Sequence, residues 1–123
     1  MMLLEDMKAE YDQGNYCVAG GDFNHDFTGD SSQKLNGAEA DFGWAQPFPA
    51  ELLPQGISRA TNYNTYNPTC RNCDIPYQEG NFTIIVDGFL VSENVGVNWV
   101  ENVDTDFSYS DHNPVRMQFW LKK

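Results

Sequence analysis

The chain has 123 residues, of which 41% are hydrophobic and 14% aromatic, a composition typical of one soluble globular domain and not of a disordered or fibrous segment. Eighteen acidic residues against seven basic ones give a formal net charge of -11, which disfavours simple binding to nucleic acid or anionic membranes unless cations intervene. The longest apolar run, residues 83–91, is far shorter than the ~20 residues of a membrane-spanning helix, and the acidic N-terminus does not resemble a secretory leader.

The first predicted elements are a helix and a strand. Apolar residues recur at helical spacing within residues 2–13, and Gly14 follows where a helix C-cap is expected. Residues 16–19 form a short apolar run that ends at two glycines, which predicts a buried strand leading into a tight turn. Cys17 lies in this run, and we expect it to pack in the core as a small hydrophobic residue.

The central part of the chain, residues 26–81, is rich in Gly, Pro, Asn, Ser and Thr and predicts long loops, with only a short helix near residues 49–53. Its aromatic side chains favour packed loops, although each one alone can be an ordinary residue of a small local core. These aromatic residues are Phe42, Trp44, Phe48, Tyr63, Tyr66 and Tyr77. Cys70 and Cys73 form half of a zinc site at most, and a local disulfide or two thiols in a loop is the alternative.

Three strands are predicted to close the chain, at residues 83–91, 95–103 and 114–121. The first is apolar on both faces and should lie centrally in its sheet. The short connection at residues 92–94 predicts a hairpin between the first strand and the second. The last strand alternates apolar and other side chains, which indicates two unlike faces. Its apolar set is Val115, Met117, Phe119 and Leu121.

Polar side chains cluster at the ends of these strands. Asp22 and Asn24 follow the first strand, and Asp111 and His112 precede the last one. Asp87 interrupts the most apolar strand, where a carboxylate is costly unless it has a partner. A carboxylate can fix the tautomer of an imidazole, so we expect Asp87 to pair with one of the two histidines. Pairing with His112 would gather all five side chains at one edge of the sheet.

A cluster of this kind suits phosphoester hydrolysis. Carboxylates hold Mg2+, the ion neutralises the phosphate, and an Asp or His orients or deprotonates water. Taken singly, the motifs also have structural readings, because Asp-Phe-Asn can be an Asx turn and Asp-His-Asn-Pro a loop-to-strand turn. A calcium loop that starts at Asp22 is disfavoured, since its sixth position is Phe27 instead of Gly and its twelfth is Gln33 instead of Glu.

Three motifs follow one another along the chain: GGDFN at residues 20–24, IVDGFLVS at residues 85–92 and SDHNPV at residues 110–115. Together they resemble motifs of the endonuclease/exonuclease/phosphatase superfamily, which has the deoxyribonuclease I-like fold. Residues 20–24, GGDFN, are similar to the GDFN motif of that family. Residues 85–92, IVDGFLVS, resemble its D-Y-x-hydrophobic-x-S strand, with Gly88 where the family usually has an aromatic residue. Residues 110–115, SDHNPV, resemble its terminal SDHxPV motif.

The resemblance implies an α+β fold that is half of a four-layer α/β sandwich, with a mostly antiparallel sheet, a flanking N-terminal helix and long loops. It implies four catalytic residues, Asp22, Asn24, Asp87 and His112. The implied metal residues are Asp22, Asn24 and Asp111, with Mg2+ or Mn2+ as the cofactor. Asp22 would align or activate the attacking water, and Asn24 would position the phosphate. Asp87 would orient His112, which would contact the scissile phosphate.

The family domain is much longer than this chain, and its early half supplies an Asn, a metal-binding Glu and usually another His. Residues 1–123 therefore resemble the C-terminal portion of the domain, with the N-terminal half absent. We expect the full-length protein to be a Mg2+-dependent phosphodiesterase or phosphomonoesterase that is incomplete in this chain. The alternative is a non-catalytic assembly or binding module that keeps the scaffold without a complete metal site.

The partners follow from the same expectations. The substrate is a phosphoester of nucleic acid, of a lipid headgroup or of a small molecule, and the seven basic residues form no run that would favour a long nucleic-acid track. Half of a sandwich would expose an apolar sheet face, which predicts pairing with a second copy or with the missing half. The sequence does not indicate where in the cell the protein acts.

Overall fold

A computed structural model of the chain describes residues 2–37, 46–71, 82–108 and 110–123. The fold within these ranges is mixed, with few helices and antiparallel sheets, as a coarse α+β assignment requires. The helices are α1 (Met2–Asp12) and α2 (Ser31–Asn36), and Ala50–Leu52 forms a 3-10 turn. The strands are β1 (Val18–Asp22), β2 (Ile57–Ala60), β3 (Cys70–Arg71), β4 (Thr83–Ile84), β5 (Asp87–Ser92), β6 (Val95–Asn102) and β7 (Val115–Leu121). Among the described helices, none has the length and apolar character needed to cross a membrane.

The N-terminal helix follows the spacing of its apolar residues. Leu4 and Met7 are buried in the main core cluster. Gly14 has a φ of 86°, a left-handed conformation that glycine adopts without steric cost, so the helix ends where the sequence predicts. Cys17 is 9% exposed and belongs to the same cluster, which confirms its predicted place in the core.

A three-stranded antiparallel sheet, in the order β1-β5-β2, forms the centre of the described fold. The middle position of β5 confirms the prediction for the apolar strand. Leu90 packs with α1 on one face of β5, whereas Val91 packs in the cluster beneath β6 and β7 on the other. The β1-β5 ladder ends with Asp22 directly opposite Asp87, so two carboxylates meet at this edge.

The first strand differs from its prediction. β1 begins at Val18 instead of residue 16, and four of its five residues are exposed, with Val18 at 41%. In the described part of the chain, β1 pairs with β5 alone and is therefore an edge strand. The prediction of a buried strand is wrong because an apolar run does not reveal whether a strand has neighbours on both sides.

The single strand predicted at residues 83–91 is divided into β4 and β5. Residues 85–86, between them, bond to the loop after β1, because Phe23 donates its N–H to the carbonyl of residue 86 at 2.9 Å and Phe27 donates to that of residue 85 at 2.8 Å. β4 pairs instead with β3. The carbonyl groups of residues 85 and 86 are therefore bonded to this loop and are not available to a continuous β ladder.

The predicted hairpin around residues 92–94 is also wrong. β5 pairs with β1 and β2, whereas β6 pairs with β7 from Val95 opposite Leu121 to Asn102 opposite Val115. The short connection therefore carries the chain from one sheet to another. β7, which follows β6 in sequence, forms the ladder with β6 in place of β5. The predicted last strand is confirmed as β7.

The apolar face of β7 is covered only near its start. Val115 and Met117 pack against a cluster that includes Val91, whereas Phe119 and Leu121 are 44% and 49% exposed. An exposed apolar sheet face is therefore present, as the sequence predicts. Whether a second copy or another segment covers it stays a prediction.

The loop-rich segment contains more regular structure than its composition indicates, since α2, β2 and β3 all lie in it. Phe48 is 5% exposed and packs in the core, whereas Tyr63 is 47% exposed. The prediction of packed aromatic residues is thus confirmed for Phe48 and wrong for Tyr63. Four residues named in the sequence analysis lie outside the described residues: Phe42, Trp44, Cys73 and Tyr77.

Candidate functional site

Three side chains from separate segments meet at the end of the β1-β5 ladder. Asp22 ends β1, Asp87 begins β5, and His112 lies in the loop before β7. One ligand atom from each lies within 4.8 Å of the others. The structure thus brings together three of the five polar side chains that the sequence predicts at one sheet edge.

The contact between Asp87 and His112 confirms the predicted pair. Asp87 Oδ2 lies 2.8 Å from His112 Nδ1. An ionised carboxylate at this position accepts the Nδ1–H bond and fixes that tautomer of the ring. The other ring nitrogen, Nε2, lies 3.8 Å from Asp22 Oδ2 and 3.7 Å from Cys70 Sγ. The fold therefore fixes Nδ1 of His112, whereas Nε2 points towards polar groups whose contacts with it can be replaced.

The electrostatics of the pair favour a protonated imidazole. Burial lowers the pKa of His112, but the hydrogen bond to Asp87 and the charges of Asp87, Asp22 and Asp111 outweigh it and raise this pKa above the ordinary 6.5. Burial raises the pKa of Asp87 above the ordinary 3.8, although hydrogen bonds from His112 and Thr69 act in the opposite direction. A histidine with a raised pKa holds a proton that it can donate near neutral pH.

Two carboxylates face each other at the end of the β1-β5 ladder. Asp22 and Asp87 are direct partners across the ladder, and like charges at such a position destabilise a sheet. An imidazolium at His112 or a divalent metal ion offsets that repulsion. The arrangement therefore favours binding of positive charge at this edge.

A buried threonine fixes the position of Asp87. Thr69 is fully buried, and its Oγ1 accepts the backbone N–H groups of Val86 and Asp87 at 3.0 and 3.2 Å. The two N–H groups lie 17 and 18 residues after Thr69 in sequence, so the contact joins two separate segments. No sequence pattern predicts this role for Thr69, because nothing in a polar loop composition distinguishes it from its neighbours.

A buried asparagine fixes the loop that carries His112. Asn113 is 2% exposed, and its Oδ1 accepts bonds from the Thr105 hydroxyl at 2.6 Å and the Phe107 N–H at 3.1 Å. Its Nδ2 donates to the carbonyl of Pro68 at 3.0 Å. Asn113 was not singled out, although it lies inside the SDHNPV motif, which is the signal that could have found it.

Asn24 is linked to the site through its backbone. It has a φ of 53°, a left-handed conformation that asparagine tolerates, and its N–H donates to Asp22 Oδ1 at 2.8 Å. The Asx turn considered for Asp-Phe-Asn is therefore present. The turn also orients the Asp22 carboxylate, so the structural and functional readings of this motif are compatible.

Asp111 lies beside the group. Its carbonyl accepts the N–H of Arg71 at 3.0 Å, and its Oδ1 accepts the Ser110 hydroxyl at 3.2 Å. In the described ranges, the group of possible metal ligands contains Asp22, Asp87 and His112 and does not include Asp111. The metal-binding roles of Asp111 and Asn24 stay predictions.

The second histidine has different surroundings. His25 Nδ1 lies 2.7 Å from the carbonyl oxygen of Phe23, and the His25 ring meets the Phe48 ring edge-on at 6.2 Å between centroids. These contacts are with a backbone group and an aromatic ring. They indicate a packing role for His25.

A cleft of about 440 Å3 opens beside the pair. Its lining includes Asp87, Gly88, Ser110, His112 and Pro114. A Cβ atom at Gly88 would lie 2.4 Å from the Phe27 ring, so a larger residue at this position would require that ring to move.

The donor set can hold more than one kind of metal ion. Carboxylate oxygens are the preferred ligands of Mg2+ and Mn2+, whereas imidazole nitrogen suits Zn2+ better. Asp22 and Asp87 supply the first kind of ligand and His112 the second. The structure thus provides a possible metal-ligand group without selecting Mg2+.

No family model, curated protein or solved structure matches the chain. What this site does is therefore inferred from its geometry and from the three sequence motifs.

Proposed function

We propose that the protein is a divalent-metal-dependent phosphohydrolase of the endonuclease/exonuclease/phosphatase type. In this proposal, residues 1–123 correspond to the C-terminal portion of a deoxyribonuclease I-like sandwich. The observation that carries the proposal is the position of the His112 imidazole, with Asp87 Oδ2 at 2.8 Å and Asp22 Oδ2 at 3.8 Å. A carboxylate-held imidazole next to a second carboxylate suits acid-base work on an anionic ester.

Each side chain has a role that its contacts support. Asp87 holds Nδ1–H, so Nε2 of His112 is the atom that gives a proton to the leaving oxygen or stabilises its charge. Asp22, oriented by the Asx turn, aligns the attacking water. Mg2+ or Mn2+ held at this edge would supply positive charge to offset that of the phosphate. Asp22, Asn24 and Asp111 supply oxygen ligands of the kind that these ions prefer.

Charge and contacts favour a small phosphoester or a lipid headgroup over a long polyanion. The net charge is -11. Lys8 pairs with Asp12 at 2.8 Å and Arg116 with Glu101 at 2.5 Å, so these cations are neutralised locally. A nucleic-acid track needs a stripe of available positive charge.

Hydrolysis of p-nitrophenyl phosphate and bis(p-nitrophenyl) phosphate by the full-length protein, with and without Mg2+ or Mn2+, tests the proposal. We expect metal-dependent turnover that EDTA abolishes. His112→Ala should lower the rate by about 10²–10⁴, the usual contribution of acid-base catalysis. His25→Gln is the matched control, because its ring contacts only indicate packing, and it should retain the rate within a few fold. Full activity of folded His112→Ala would contradict the proposal.

A non-catalytic assembly module is the second candidate, favoured by the exposed apolar side chains of the β6-β7 sheet. Trp99, Phe119, Trp120 and Leu121 are each more than 40% exposed there. Large exposed apolar patches mark association surfaces. Sedimentation velocity at micromolar concentration should show a dimer or larger species that Phe119→Ser weakens. A compact monomer would contradict this candidate.

A further inference from the structure

We propose that Cys70, His112 and Asp22 form a binding site for Zn2+. This inference goes beyond the proposed function, because it concerns a thiol that the phosphohydrolase does not use and an ion other than Mg2+. The three side chains share one atom as their meeting point, which is His112 Nε2.

Two of the three distances agree with those between ligands of one zinc ion. Among the described residues, Cys70 is not part of the group whose ligand atoms all lie within 4.8 Å of one another, so Asp22 has to turn towards the ion. His112 Nε2 lies 3.7 Å from Cys70 Sγ and 3.8 Å from Asp22 Oδ2. With Zn–S of ~2.3 Å and Zn–N of ~2.0–2.1 Å, tetrahedral coordination separates sulfur and nitrogen by roughly 3.6 Å. An ion can therefore enter between Cys70 and His112 with little movement of either side chain, while the more exposed Asp22 turns towards it.

The imidazole is oriented as zinc-binding imidazoles usually are. Asp87 Oδ2 accepts the Nδ1–H bond at 2.8 Å, which directs the lone pair of Nε2 away from the carboxylate. A carboxylate behind a ligating histidine fixes its tautomer and raises its basicity. The Asp87–His112 pair thus supplies a ready second-layer contact for a metal at Nε2.

The backbone holds the thiol in place. Cys70 is 5% exposed, pairs with Ile84 in the β3-β4 ladder, and forms an isolated β-bridge with His112 itself. Thiolate, imidazole and carboxylate together are a donor set that selects Zn2+ over Mg2+. As the S–Zn and N–Zn bonds form, the thiol proton and the Nε2 proton of a protonated imidazole pass to solvent, and no electrons are transferred.

Zinc at this position would also affect the proposed chemistry. An Nε2 lone pair bound to Zn2+ cannot carry a proton, so Zn2+ should inhibit the Mg2+-dependent hydrolysis. That consequence rests on the proposed function, whereas binding of the ion does not.

Titration of the reduced protein with Co2+, a spectroscopic substitute for Zn2+, tests the site directly. A thiolate bound to Co2+ gives a charge-transfer absorption in the near ultraviolet. We expect this absorption in the wild type, in Cys17→Ser and in Cys73→Ser, and its loss in Cys70→Ser. No absorption in the wild type, or an absorption that survives Cys70→Ser, would overturn the proposal.

X-ray absorption of the zinc-loaded wild type keeps the test independent of any variant. We expect one sulfur at ~2.3 Å with nitrogen and oxygen at ~2.0–2.2 Å. No sulfur, or two sulfurs from the cysteine pair at positions 70 and 73, would refute the site. In the hydrolysis assay, Zn2+ should inhibit the wild type at least tenfold more strongly than Cys70→Ser. An inactive protein that still gives the Co2+ absorption would overturn the proposed function and leave the zinc site supported.

Discussion

Two carboxylates of low solvent exposure, Asp26 and Asp87, have opposite surroundings. Asp26 is fully buried, and its Oδ1 accepts the N–H and hydroxyl of Ser31 at 3.1 and 2.5 Å, while its Oδ2 accepts the N–H of Ser32 at 2.9 Å. Asp87 is 16% exposed and bonds to the imidazole of His112. The first carboxylate is saturated by its own loop, whereas the second acts on a titratable ring from a distant segment.

The structural and the functional carboxylate of this small fold differ in the groups that they bind. The bonds of Asp26 come from groups that neither titrate nor leave, so they can only fix the start of α2. Asp87 controls a ring whose other nitrogen faces Asp22 and Cys70, where partners can be exchanged. A functional carboxylate–histidine pair needs this second ring nitrogen, whose partners can be exchanged.

The largest expected effect is the loss of stability when the hydrogen bonds of Asp26 are removed. Asp26→Asn places an amide opposite the donors of Ser31 and Ser32 and should lower the free energy of unfolding by about 3 kcal/mol. Urea denaturation measures this loss. Asp12→Asn, at an exposed surface pair, is the control and should change the value by less than about 0.5 kcal/mol. Similar losses in both variants would show that the bonds around Asp26 do not stabilise the fold.

The next largest effect concerns the support of Asp87. Thr69→Val keeps the side-chain shape but leaves one buried and one partly buried N–H group without their acceptor, which should cost about 2 kcal/mol of unfolding free energy. The matched control is Thr65→Val at an exposed position, with an expected change within about 0.5 kcal/mol. If the two variants unfold at the same urea concentration, Thr69 does not hold Asp87 in place.

The smallest expected effect is a pH dependence of stability that arises from the Asp87–His112 pair. The pKa of His112 lies above its ordinary value, so the folded state holds this proton more tightly than the unfolded state. The resulting stabilisation is complete below the unfolded pKa of about 6.5 and is lost as pH rises through the folded pKa. Asp87→Asn removes the main raising contact, so the pKa of His112 should fall and this loss of stability should shrink.

NMR titration of the His112 ring protons measures that shift, with Asp12→Asn as the unaffected control. A pKa of His112 that is equal in the wild type and in Asp87→Asn would mean that the 2.8 Å contact does not form in solution.

Local sequence patterns predicted α1, the central place of β5 and the Asp87–His112 pair. A histidine partner was predictable because a carboxylate in an apolar strand needs a partner and the chain has only two histidines, whereas the choice of His112 over His25 followed from the resemblance of the motifs. The break at residues 85–86 and the pairing of β6 with β7 were not predictable, since both depend on groups far away in sequence. The same is true of Cys70, whose contact with His112 spans 42 residues.

Calorimetric titration with Mn2+ tests most directly whether Asp22 helps to bind a cation at this edge of the sheet. The proposal predicts one ion per chain for the wild type and for Asp12→Asn, with binding lost or weakened at least tenfold in folded Asp22→Asn. Equal binding by all three proteins would contradict it, because the ion would then be held elsewhere.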